Sequence, residues 1–222
     1  MRSFEVLLRE SVEKHGHLCP GQVIGVRMAV LGCRLIGLDE PSSKTQRKKL
    51  MVFVEIDRCA TDAIESVTGC KLGKRNLKLE NYGIMAATFL NLETSLAYRI
   101  VAREEARGLA ALYAPEVTDP HQQQLAAYMS MSDQELFQVQ RVEVSVPPWE
   151  MPGPTMRKAR CSICGQVVRD GKEVLRGDQV LCRPCNGDVY FRHLGALRPS
   201  TEGEYLRIDR AFVSHLISGL RA

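Results

Sequence analysis

Two histidines, a cysteine, a proline and two glycines stand within the seven positions from His15 to Gly21, in a chain with only five histidines. Cys19 precedes Pro20, a residue suited to the first position of a helix because its φ is fixed and it lacks an N–H. The thiol therefore sits at or beside a helix N-cap, where unpaired amides and the positive end of the macrodipole favour a thiolate. His15 and His17 lie just upstream in a glycine-bearing turn. Cys59 repeats the arrangement, following a predicted strand that ends at Asp57 and preceding the helical segment ATDAIESV. Two such thiols and one or two imidazoles make a donor set for a borderline-soft divalent ion, with zinc the default and iron the other choice. His15, His17, Cys19 and Cys59 are accordingly the candidate core metal site. Should that site have chemistry, it would supply a bound metal or the Cys19 thiolate, with His17 as the proton carrier. Asp57 and Asp62 are candidates to orient an imidazole. Plainer readings stand beside these: His15 as a helix cap, the two aspartates as strand-end and helix-start carboxylates, and Cys33 and Cys70 as core cysteines.

A second donor set lies towards the other end. Cys161, Cys164, Cys182 and Cys185 form two CxxC pairs separated by seventeen residues. Each CxxC turn presents two thiolates to one ion, and a hairpin between the pairs would complete a tetrahedral four-thiolate site for structural zinc. Asp170-Gly171 is a strong two-residue hairpin signal, and Gly177-Asp178 predicts a second turn. The segment NGDVYFRHL then predicts a helix after Cys185. This knuckle, hairpin and helix order is that of a treble-clef finger and is similar to the TraR-like zinc fingers. A shell filled by four thiolates has no open position for catalysis. A redox CxxC pair would require a thioredoxin-like βαβ context, which the sequence does not show.

The elements that must position these residues follow from periodicity and punctuation. Phe4, Leu7, Leu8 and Val12 recur at helical spacing and Gly16 marks the stop. From Pro20 a second helix runs through VIGVRMAVLGCRLIGL. It is apolar around much of its circumference, hence central and buried, with Gly25 and Gly32 allowing a neighbour close approach. LMVFVEID predicts a buried strand and CATDAIESVTGC a short helix. LKLENYG, IMAATFLNLE and SLAYRIVA predict further strands, the last two joined near Glu93–Thr94. Helical segments follow around 103–113, 120–130 and 133–137, then the strand QVQRVEVSV. Helices, a run of strands, then helices again predict an α+β fold with helices packed on a mostly antiparallel sheet. LGKRN, residues 72–76, reads as a turn with solvated charges, or as an anion contact.

A hydrophobic share of 45% with 25% charged residues allows a real core and excludes wholesale disorder. No apolar run is long enough to span a bilayer, so no membrane partner is expected. Without an export signal, and with cysteines in CxxC pairs, the expected location is the cytoplasm. Residues 146–160 (VPPWEMPGPTMRKAR) hold four prolines and a glycine within eight positions, which predicts a linker. The expected organisation is a core domain over 1–146, a Pro-rich linker over 147–157, the four-cysteine finger over 158–195 and a helical extension over 196–222. Charge is uneven: residues 157–222 carry 12 basic and 7 acidic side chains, against 18 and 19 before them. Arg157, Lys158, Arg160, Arg169, Lys172, Arg176 and Arg183 offer phosphate contacts, but only Tyr190 and Phe191 offer nearby stacking surfaces, so nucleic acid is a weakly supported partner.

Three segments, HGHLCPG, DRCATDAIESVTGCKLGKRNLK and NYGIMAATF, together resemble the family of the E-type subunit of formylmethanofuran dehydrogenase over most of residues 10–105. The resemblance implies an α+β core forming an intertwined homodimer, with a C-terminal zinc finger in some members. It also implies association with a molybdenum or tungsten enzyme that reduces CO2 onto a one-carbon carrier. The chain departs from the family pattern at Lys71, where threonine is usual, and at Asn81-Tyr82-Gly83-Ile84, where DYGK is usual. The expected function is thus a metal-binding accessory protein of one-carbon or molybdenum/tungsten enzyme metabolism, with enzymatic activity undecided. The alternative is a nucleic-acid-binding or metal-sensing regulator that uses the finger.

Overall fold

The computed structural model describes residues 1–192. The helical extension expected over 196–222 lies outside the described residues. The chain divides into two compact units: Met1–Ala159 together with Val168–Gly171, and Arg160–Val167 together with Lys172 onward.

In the first unit, α1 (Phe4–His15) begins at Ser3, whose side chain accepts from the Val6 N–H. It ends at Gly16, in the left-handed region at φ 98°, a conformation that glycine adopts without steric cost. Helix α2 (Pro20–Leu35) starts at the predicted proline. Val23, Val26, Ala29 and Cys33 along it are completely buried. A third helix, α3 (Cys59–Thr68), follows β1 (Leu50–Val54). The remaining strands are β2 (Leu77–Leu79), β3 (Ala86–Asn91), β4 (Ala97–Ala102) and β5 (Phe137–Val142). Their order is β2-β1-β3-β4-β5, antiparallel throughout except for the parallel β1–β2 pair. Between β4 and β5 come α4 (Glu105–Gly108), α5 (Ala110–Tyr113), α6 (Pro120–Ser130) and α7 (Asp133–Leu136). The single helix expected around 103–113 is thus two short ones, broken after Gly108, a poor residue for a helix interior.

The helices and one face of the sheet share a core that includes α2 and Phe89. A second, smaller cluster on Met51, Leu90 and Ala97 is covered by Val142, Val144, Val146 and Met151. Residues 147–151 are fastened to the first unit: the Arg75 guanidinium donates to the Trp149 carbonyl, and Lys78 Nζ donates to the Glu150 carbonyl at 2.9 Å. Within this segment Pro148–Glu150 forms a single 3-10 turn.

The approach of α2 to its neighbours depends on glycine. A Cβ on Gly25 would lie 2.5 Å from the Ala60 carbonyl oxygen on α3, and one on Gly32 would lie 2.2 Å from the buried Phe89 ring. Alanine is the better helix former by about 1 kcal/mol, yet overpacking a tight contact costs about 1–3 kcal/mol. Gly25→Ala should therefore lower the urea midpoint of unfolding despite its helix propensity. An unchanged or higher midpoint would show that the α2–α3 contact is slack.

Candidate metal centre

Cys19 is the N-cap residue of α2, with extended backbone at φ −144° and ψ 161°. Its carbonyl accepts from the N–H groups of Gln22 and Val23, while its thiol makes no capping hydrogen bond. The thiol is left for other work, although Cys19 is buried. His15 closes α1 and His17 follows the Gly16 turn, so the chain reverses and sets the two imidazoles side by side with ring centroids 4.7 Å apart. His15, His17 and Cys19 each place one donor atom within 4.8 Å of the other two.

His15 is oriented from α3. Its Nδ1 lies 2.9 Å from Asp62 Oδ2. Its Nε2 is buried and has no hydrogen-bond partner among the described residues. A buried polar atom without a partner is costly, and a carboxylate on one imidazole nitrogen with the other left over is the arrangement of a metal-bound histidine. The donor set and the leftover Nε2 both fit a divalent ion. Of the two predicted aspartates, Asp62 is the one placed to orient an imidazole. Asp57 is exposed and lines a groove beside the site.

Cys59 is the first residue of α3, and its side chain interacts with that of Cys19. It is not one of the three mutually close donors. Burial, the hydrogen bond with Cys19 and the nearby Cys19 charge push its thiol up, outweighing the opposing backbone hydrogen bond at the helix start. One residue that sequence reading missed helps to hold this corner together. Gln22, fully buried, donates from Nε2 to the Cys59 carbonyl at 2.7 Å and accepts from the Ser11 hydroxyl. It links α1, α2 and the start of α3. Its only sequence signal is a polar side chain in a largely apolar helix.

The remaining nominees are more ordinary. Cys33 and Cys70 are fully buried core residues, and burial pushes both thiols up, Cys70 to about 11. In LGKRN a short 3-10 turn leads to Arg75, which pairs with Asp170 at 2.9 Å. The turn is as expected, but this guanidinium is largely buried in an ion pair instead of solvated.

In the second unit, Cys161, Cys164, Cys182 and Cys185 bring their sulfur atoms within 4.8 Å of one another. Gly165, at φ 72°, turns the first knuckle and its N–H donates to the Cys161 carbonyl. The Ser162 N–H donates to Val180 at 2.8 Å, tying that knuckle to β9 (Gln179–Leu181). Backbone N–H groups of Cys164 and then Cys182 hold the Cys161 thiol down to about 6, while the Cys182 and Cys164 side chains push Cys185 up to about 12. Four crowded sulfurs ionise together only around a cation, so this set too fits a divalent ion.

Two details of this region differ from expectation. The strands flanking Asp170-Gly171 do not pair with each other: β7 (Val167–Arg169) pairs with β6 (Lys158–Arg160), and β8 (Val174–Arg176) pairs with β9. Both turn residues have positive φ, but Asp170 is held by Arg75, and the Gly171 Cα packs so close to Trp149 that a Cβ would meet the indole Nε1 at 2.6 Å. The hairpin that does form is β8–β9, closed by the predicted Gly177-Asp178 turn. Nor is there an α-helix after Cys185 through Arg192. A 3-10 turn at Pro184–Asn186 is ended by Gly187 at φ 94°.

The sequence model of the family described as FmdE, molybdenum formylmethanofuran dehydrogenase operon, matches residues 14–138. The chain belongs to that family. The matched FmdE segment contains His15, His17, Cys19, Cys59 and Asp62, and ends within β5. A structural neighbour is an FmdE-like protein of the tungsten formylmethanofuran dehydrogenase type from Syntrophus aciditrophicus. It has a TM-score of 0.54 at 18% identity, covering 86% of this chain and 96% of the other, and so shares the fold. A probable S-adenosyl-L-methionine-binding protein of Archaeoglobus fulgidus is 26% identical over 205 residues, 83% of this chain and 53% of the relative. The chain thus spans about half the length of that curated relative. No helix among the described residues is long and apolar enough to cross a membrane.

Removing a carboxylate that orients a metal-bound imidazole typically costs about 10–100-fold in affinity. Asp62→Asn should weaken core metal binding by that order, read by competition with a chelator, and leave the four-cysteine site unaffected. Equal affinity in wild type and variant would mean that the Asp62–His15 contact serves only to pin α1 against α3.

Proposed function

We propose that this FmdE-family chain is a metal-binding accessory protein with two ions per chain, one in the core site and a structural zinc on the four cysteines. The observation that carries the reading is His15: its Nε2 is buried and has no partner among the described residues, its ring offers a donor within 4.8 Å of donors on His17 and Cys19, and Asp62 holds Nδ1. Family membership supports an accessory role, and service to a molybdenum or tungsten enzyme of one-carbon metabolism is its specific form. In that role the chain works in the cytoplasm as a homodimer. Bound there, a divalent ion supplies Lewis acidity. The residues around it orient His15 through Asp62 and keep Cys19 out of bulk water.

The nucleic-acid reading draws less support from the second donor region. Of the cations named for phosphate contact, Arg160 donates to the Gly165 carbonyl at 2.7 Å, Arg183 pairs with Asp188 at 3.7 Å and Arg157 lies over the Trp149 ring. A different second reading is favoured by the apolar groove beside Cys59, lined by Val54, Leu72, Leu77 and Leu79. There the site would take S-adenosyl-L-methionine, as the description of the Archaeoglobus relative says of that protein. Calorimetric binding of that compound, lost in Leu79→Glu, would favour this second reading.

Elemental analysis of anaerobically purified protein tests the main proposal. Wild type should carry about two ions per chain, and Cys19→Ala and Cys164→Ser about one each. Cys19→Ala should stay folded. If wild type and Cys19→Ala both carry one ion, the core cluster does not hold a metal and the proposal fails.

A further inference from the structure

The described residues carry two donor clusters that differ in completeness. Four thiols converge in the second unit; in the core His15, His17 and Cys19 converge, and Cys59, whose thiol meets that of Cys19, is not close to all three. Structural zinc sites are closed by four protein donors, and sites that act keep one position for water or an external molecule. Cys59 cannot be repositioned freely as a fourth donor by moving its backbone. Its carbonyl is held by the buried Gln22 amide, and its Cβ already lies where a side chain on Gly21 would stand, 2.9 Å from an ideal Cβ there.

What lies beside the incomplete set is an open groove of about 470 Å³, lined by both His15 and Cys59. Its walls are apolar, from Val54, Leu72, Leu77 and Leu79. Leu72 is 61% exposed and Leu79 43%, an unusual outlay of large apolar surface next to a polar cluster. Its charged groups are Asp57, Asp62 and Arg58, so carboxylates outnumber cations. A concave apolar surface with a few polar groups at one end is the usual form of a small-molecule site. Here the polar end holds His15 of the donor cluster, with Cys59, Asp57 and Asp62 beside it.

Resting on the reading of that cluster as a metal centre, we propose that three protein donors, His15, His17 and Cys19, hold the ion and that its remaining position binds the sulfur of an otherwise uncharged organic thiol, which releases its proton to solvent on coordination and whose apolar body lies in the groove. Cys59 flanks this ligand without binding the ion. A soft sulfur head suits a borderline ion already bound to one cysteine. Leu72 and Leu79 cover the ligand body, and the two aspartates disfavour anionic ligands. The two metal sites then have different tasks: the four-cysteine site is closed and structural, and the core site is a receptor.

Cobalt(II) substitution in the full chain tests this, because thiolate-to-cobalt charge-transfer absorption counts bound sulfurs. Subtracting the spectrum of Cys19→Ala, which keeps only the four-cysteine site, isolates the core centre. The expected difference spectrum has the intensity of one thiolate and gains a second on saturable addition of benzyl mercaptan. Mercaptosuccinate should bind roughly tenfold more weakly through repulsion by Asp57 and Asp62. Cys59→Ala should retain both the starting spectrum and the response, and Leu79→Glu should retain the spectrum but lose affinity for benzyl mercaptan. A starting spectrum of two thiolates that drops to one in Cys59→Ala and ignores added thiol would overturn the inference while leaving the metal centre intact. No difference between wild type and Cys19→Ala would overturn the metal centre and the inference together.

Discussion

The constraint on which the core depends is the close approach of α2 to α3 and to the sheet. Gly21, Gly25 and Gly32 lie along α2 where Cys59, Ala60 with Ala63, and Phe89 leave no room for a side chain. With backbones this near, the starts of α2 and α3 fall side by side, and Cys19 meets Cys59. The Gly16 turn then folds His15 and His17 back over the same corner. Moving α3 away would carry Asp62 from His15 and the Cys59 carbonyl from Gln22. Packing and site are therefore one arrangement, and the small residues at the helix contact are what position the chemistry.

That corner is polar inside a largely apolar unit, and among its buried side-chain nitrogen and oxygen atoms one has no partner among the described residues. The Ser11 hydroxyl, the Gln22 amide and the Cys59 carbonyl form a chain, and Asp62 takes His15 Nδ1. Buried polar networks are favourable only when their members are satisfied. That atom is His15 Nε2, on a ring that offers a donor close to those of His17 and Cys19. The metal reading accounts for the cost of that atom, and family membership over residues 14–138 places the same residues in the shared domain.

Much of this architecture was legible in the sequence because its signals are local. Gly16 and Pro20 mark the end of α1 and the start of α2, the apolar circumference of α2 announces burial, and the CxxC spacing announces the second cluster. What was not legible depends on partners distant in sequence. The parallel pairing of β1 with β2 brings Leu77 beside Val52 and shapes the groove, yet nothing within LKLENYG specifies that neighbour. Asp170-Gly171 has the residues of a hairpin turn, but Arg75 and Trp149 hold it in the first unit and the flanking strands find other partners. NGDVYFRHL has helical composition, but Gly187 ends the turn after Cys185. Gln22 resembled any polar residue on a helix until its two partners, eleven residues before and thirty-seven after, were seen to meet it.

The central claim is that two imidazoles and a thiolate of the core hold an ion distinct from that of the four cysteines. Cadmium-113 NMR of the cadmium-substituted full chain reads this directly, because nitrogen donors move the resonance well upfield of an all-sulfur site. The account predicts two resonances: one at the position of four-sulfur coordination, and one upfield with mixed nitrogen and sulfur donors that vanishes in Cys19→Ala. A single four-sulfur resonance, unchanged in that variant, would contradict it.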